Sequence, residues 1–136
     1  MNNILSLTAL MLLFGFACKP SQTIQSSEHL IQSIRFGSGG GFTGEYEEYE
    51  LHLHDGIMKK SDQYLKTISQ SQIKDLINSK EADILLNTHF DEPFNMTYFI
   101  TLTTENVTNT LRWGDPELVP PAIATQLYDK LFELTK

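Results

Sequence analysis

The sequence predicts an α+β fold: a mostly antiparallel sheet of about five strands with two helices packed on one face, in the order β-β-β-α-β-β-α. Three observations carry this. "EYEEYELHLH" (residues 45–54) alternates with the period of a half-buried strand, and "MTYFITLTT" (96–104) reads as a strand with Tyr98, Ile100 and Leu102 on one face. "SQSQ" (69–72) opens a helical apolar stripe with a capping box. From Pro121 onward, apolar residues recur at the spacing of one helix face. Short turns rather than long crossovers separate most strands, so their pairing is expected to be antiparallel.

Each element follows from local pattern. "HLIQSIRF" (29–36) is rich in β-branched residues and is expected to end as a strand at the glycines beyond Phe36. "SGGGFTG" (38–44) then reads as a loop, four of its seven residues being glycine. In the next strand Tyr49, Leu51 and Leu53 point one way, and Glu48, Glu50, His52 and His54 the other. Asp55-Gly56 predicts a type I′ turn with a return along 57–60, resuming near 64–68. The Ser69 hydroxyl and Gln72 side chain form the capping box, with Ile68 and Ile73 at the staple positions. Ile73, Leu76 and Ile77 supply the stripe, and the helix is expected to end near 78–81 unless "ADILL" prolongs it. "NTHFDEPFN" reads as a loop around Pro93. Tyr98, Ile100 and Leu102 share a face of the following strand, and after a turn Leu111 and Trp113 share one in "TNTLRW". "GDPELVPP" is punctuation, and Pro121 suits the first turn of a last helix over 121–134. Ile123, Leu127, Leu131 and Leu134 line its core side, flanked by Ala124, Tyr128 and Phe132.

The amino terminus speaks to location. Residues 4–17 of "MNNILSLTALMLLFGFACKPSQ" carry no charge and are mostly apolar. A membrane span needs roughly 20 apolar residues, so this run has the length of a signal-peptide core instead. Gly15-Phe16-Ala17-Cys18 places small or apolar residues before the chain's single cysteine, and resembles a bacterial lipoprotein signal. That resemblance implies cleavage before Cys18, lipidation of its thiol, and attachment to a bacterial membrane through the lipid. The organisation expected is a signal peptide over 1–17, a Ser/Gln-rich tether over 18–28 and one domain over 29–136. Lys19 is not an acidic retention signal, which by analogy favours the outer membrane of the cell envelope.

Charge and motif content narrow the function classes. Seventeen acidic against ten basic side chains give a net charge of −7, which argues against a nucleic-acid partner. One cysteine excludes an intrachain disulfide and a thiolate metal cluster. Gly39, Gly41 and Gly44 match G-x-G-x-x-G, but a dinucleotide cradle needs a helix next, and here a strand follows. His52 and His54 have an H-x-H spacing that can ligate metal, with His89 and Asp91 as further candidates. Beside Glu48 and Glu50, the blander reading of these histidines is a solvated strand face. No H-E-x-x-H helix or G-x-S-x-G elbow occurs, so neither an enzyme nor a cofactor is expected. Phe42 in a glycine-rich tip either folds back onto the core, the commoner arrangement, or is offered to a partner.

The order of a strand, Gly40-Gly41-Phe42-Thr43-Gly44, an alternating strand, Asp55-Gly56, a capped helix, a two-strand hairpin and a closing helix resembles the emfourin-like proteins. These are small proteins named for an inhibitor of thermolysin-type metalloproteases. Taken with the lipoprotein-like signal, the resemblance implies a lipid-anchored protease inhibitor acting through Gly40, Gly41, Phe42, Thr43, Gly44 and Glu45, with a secreted or periplasmic metalloprotease as partner. Phe42 would then fill an apolar pocket, and Glu45 or Glu47 would face the catalytic metal. The alternative is a non-enzymatic structural or assembly lipoprotein of the envelope, in which the glycine loop is only a turn.

Overall fold

The structure is a computed structural model that describes residues 30–136. The signal segment, Cys18 and the tether over 18–28 lie outside the described residues. So does His29, at the start of the first expected strand. The α+β class holds, with a larger sheet and one more helix than the sequence pattern predicts. Seven strands form one sheet: β1 (Ser33–Gly40), β2 (Glu45–His52), β3 (Ile57–Lys60), β4 (Gln63–Thr67), β5 (Asp91–Glu92), β6 (Met96–Thr103) and β7 (Thr108–Trp113). Their spatial order is β4-β3-β2-β1-β6-β7-β5. All neighbours are antiparallel except β5 and β7, which run parallel. The helices are α1 (Gln70–Lys74), α2 (Ser79–Asn87) and α3 (Ala122–Glu133).

Register puts one apolar face together. Phe36 lies between Tyr49 and Ile100, and Ile34 between Leu51 and Leu102. Ile100 in turn faces Leu111. These residues join Ile73 of α1, Leu85 of α2 and Leu131 of α3 in a single buried cluster. Tyr128 of α3 is its aromatic hub. It meets Phe36, Tyr98 and Trp113 edge-on at 6.2, 5.7 and 5.6 Å between ring centres, and stacks on Phe132 at 6.2 Å. Such edge-to-face contacts add about 0.5–1.5 kcal/mol each beyond the area buried. Burial pushes the Tyr128 hydroxyl above the ordinary phenol range.

Four differences from the expected elements have local causes. The first strand does not stop at Phe36 but runs through the glycines to Gly40, because β2 and β6 hold it from both sides. Asp55-Gly56 is not a type I′ turn: only Gly56 has positive φ (72°), while the Asp55 carboxylate accepts from the Ile57 amide. The tight two-residue turn falls at Ser61 and Asp62, at φ 46° and 65°, and separates β3 from β4. The helix opened by the Ser69–Gln72 capping box ends at Asp75, and a second capping box, Asn78 with Glu81, starts α2. Lys130 of α3 closes the break by donating to the carbonyls of Asp75 (3.3 Å) and Leu76 (3.2 Å). Finally, the loop expected around Pro93 contains β5, where Asp91 and Glu92 pair with Arg112 and Trp113.

Candidate functional site

Two central strands of the sheet, β1 and β2, meet in a hairpin whose tip is Gly41-Phe42-Thr43-Gly44. Ser38, Gly39 and Gly40 belong to β1, so only four residues of the glycine-rich stretch are unpaired. Gly40 pairs with Glu45 on one side and Met96 on the other. Its φ is 102°, and a Cβ there would lie 2.5 Å from the Asn95 carbonyl oxygen. The same carbonyl accepts the Gly41 amide, so the base of the tip is clamped to the turn between β5 and β6. Beyond the clamp, Gly41 and Gly44 take φ 66° and 67°, and the Thr43 hydroxyl accepts the Glu45 amide at 3.3 Å. Phe42 does not fold back onto the core. Its exposure is 108% of the reference value, at the apex of the hairpin.

The face of the sheet away from the helices explains two more glycines. A Cβ on Gly39 would lie 2.5 Å from the Tyr46 ring, which crosses this bare strand toward Phe99 at 6.3 Å between ring centres. A Cβ on Gly37 would strike the Glu47 carbonyl. Phe99 is buried, yet it stands apart from the main core because it points to this opposite face. The glycines of β1 thus form a trough that Tyr46 covers.

Charges near the tip sort into paired and unpaired. Glu47 accepts from the Tyr49 hydroxyl at 2.8 Å and pairs with Lys60 at 2.5 Å. The Lys60 contact chiefly, then the Tyr49 hydrogen bond, holds the Glu47 carboxyl below its usual range. Glu47 is therefore committed, and Glu45 is the carboxylate left exposed beside Phe42. Asp91 receives a two-pronged Arg112 contact at 2.6 and 2.8 Å, which lowers its pKa. Phe94 in the turn from β5 to β6 (58%) and Met96 at the start of β6 (49%) are exposed beside the hairpin base.

The histidine candidates are not brought into a shared site. Strand β2 ends at His52, and His54 sits in the exposed turn beyond it. The His52 Nε2 lies 3.3 Å from Glu50 and is buried without a hydrogen-bond partner among the described residues. His54 contributes its carbonyl, which accepts from Gln70 at 3.0 Å. Among the described residues no three His, Cys, Asp or Glu side chains stand close enough to hold a metal ion. At this end of β2, away from the tip, Ile31, Leu53, Ile73, Ile77 and Ala82 line a groove of about 720 Å³.

The chain matches no protein-family model and no curated protein. Sequence reasoning missed Phe94 and Met96 as neighbours of the tip. Phe94 reads as part of an isolated proline loop and Met96 as the start of a strand, and no local signal places either beside Gly40. The break between α1 and α2 was signalled, however, by Asn78 standing three residues before Glu81.

Proposed function

We propose that this chain is a lipid-anchored binding module of a bacterial cell envelope whose hairpin tip enters the cleft of a partner protein. A thermolysin-type metalloprotease is the partner that the emfourin-like resemblance of the tip suggests. The observation that carries the reading is the full exposure of Phe42 on a hairpin of two central strands. An aromatic side chain so placed gains its burial only from a partner. Because three glycines of the run lie in or at the edge of paired strand or carry the Asn95 clamp, little of the loop is left to be ordered on binding. Glu45 is the carboxylate free to face a metal or a cation in the cleft.

A second reading is a structural or assembly lipoprotein without inhibitory activity. One observation favours it: Gly37, Gly39 and Gly40 each have a packing reason to lack a side chain, so the glycine content is explained without any partner. The experiment that separates the two is titration of a thermolysin-type protease with the intact chain in detergent, with Phe42→Ala alongside. The first reading expects inhibition that weakens about tenfold or more in the variant, as for an interface hot spot, with the melting temperature unchanged. Failure of the folded wild-type chain to inhibit or bind such proteases refutes the inhibitor reading and leaves the assembly role.

A further inference from the structure

Resting on the tip-binding reading, we propose that the partner surface is a composite end face of the sheet. Phe42 from the β1–β2 hairpin acts with Phe94 from the β5–β6 turn and Met96 from the start of β6, and the carboxylates of the segments that carry them select a protein cleft edged by basic side chains. The two segments are joined through backbone: Gly40 pairs with Met96, and the Gly41 amide donates to the Asn95 carbonyl. Phe42, Phe94 and Met96 are all exposed, so the sheet end presents three large apolar side chains from two clamped segments. A third segment closes the arrangement. The Asp115 amide donates to the Glu92 carbonyl at 3.4 Å, and Gly114 lies so close to the Met96 carbonyl that a Cβ there would be 2.2 Å from it.

Charge defines the partner. Residues 38–47, 91–98 and 113–121, which build this end, contain Glu45, Glu47, Asp91, Glu92, Asp115 and Glu117 and no lysine or arginine. Lys60 and Arg112 satisfy Glu47 and Asp91 from outside these segments. Glu45, Glu92, Asp115 and Glu117 form no ion pair among the described residues. An apolar centre with a charged rim of one sign is the anatomy of an interface whose rim steers association with an oppositely charged partner. The same carboxylates repel an anionic lipid surface, which disfavours membrane insertion of these aromatic side chains.

The test compares the intact chain in detergent with Phe42→Ala, Phe94→Ala and a variant replacing Glu45, Glu92, Asp115 and Glu117 by glutamine. Tyr64→Ala, an exposed aromatic on strand β4, is the control. Dissociation constants and association rates against a thermolysin-type protease are measured at low and high salt. Phe94→Ala is expected to weaken binding about tenfold, as a hot-spot residue does, with Tyr64→Ala unchanged. The glutamine variant is expected to associate about tenfold more slowly at low salt and to lose most of its salt dependence. If Phe42→Ala weakens binding while Phe94→Ala and the glutamine variant match wild type, the composite face is wrong and the tip reading stands. If the wild-type chain does not bind at all, both are overturned.

Discussion

Replacing Gly40 by alanine tests how the hairpin tip is held, and Gly41→Ala is its internal control. The two glycines are adjacent and both have positive φ, 102° and 66°. They differ in surroundings: a Cβ on Gly40 would sit 2.5 Å from the Asn95 carbonyl oxygen, whereas a Cβ on Gly41 meets nothing within 4 Å. Placing an L side chain in left-handed backbone destabilises by roughly 1–2 kcal/mol, offset at both sites by about 0.4–1 kcal/mol from a stiffer unfolded chain. At Gly40 the Asn95 carbonyl must also move away, which strains or breaks the Gly41–Asn95 hydrogen bond at a further cost of about 0.5–1.5 kcal/mol plus the steric term. Gly40→Ala is therefore expected to lose about 2–3 kcal/mol and Gly41→Ala about 1 kcal/mol or less. For a domain near 100 residues that difference separates the two melting temperatures by roughly 5–15 °C. Urea and thermal unfolding followed by the single tryptophan, Trp113, read it directly. Equal stabilities for the two variants would refute the clamp between the hairpin and the β5–β6 turn.

Other perturbations probe the rest of the scaffold. Tyr128→Ala removes the ring that joins Phe36, Tyr98, Trp113 and Phe132, and should destabilise by about 3–5 kcal/mol with a red-shifted Trp113 emission; an unshifted spectrum and small loss would contradict the hub. Asn78→Ala deletes the cap that restarts α2 and should lose about 1 kcal/mol in denaturant titrations, against no change if the helix needs no cap. The Asp91 carboxyl has its pKa lowered by Arg112, so its contribution is present above the unfolded carboxylate range and is lost as pH falls through the lower folded value. Asp91→Asn should therefore flatten the acid side of the stability profile below roughly pH 4, and an unaltered slope there would show the pair is not coupled to folding.

Several elements were legible because their causes are local. The same-face spacing of Ile100 and Leu102 in "MTYFITLTT", and of Leu111 and Trp113 in "TNTLRW", names the core faces of β6 and β7, and all four are buried. Tyr98 of the same face is nevertheless exposed, and Phe99 of the opposite face is buried. The Ser69–Gln72 box marks the start of α1, and Leu127 and Leu131 mark the buried side of α3. Other signals were misleading for equally physical reasons. Glycine usually ends a strand, yet Gly37–Gly40 continue β1 because two neighbouring strands pair with it and Tyr46 fills the missing side-chain volume. Asp-Gly usually makes the tight hairpin turn, yet Ser61 and Asp62 adopt it, since the register of Lys60 with Gln63 leaves two residues to reverse the chain.

The sequence by itself determined the α+β class, the inward faces of the main strands and last helix, the acidic surface and the presence of an aromatic residue in a glycine-rich apex. The inward faces follow from side-chain direction along one segment, which repeats every two residues in a strand and every 3.6 in a helix. The charge and the apex aromatic are matters of composition alone. Only the tertiary structure decided that Phe42 stands clear of the core, that Glu47 is bound to Lys60 while Glu45 is not, and that Phe94 and Met96 stand beside the hairpin base. Each of these depends on which distant strand lies alongside. That choice is made by the register of whole faces packing together, which no single segment encodes.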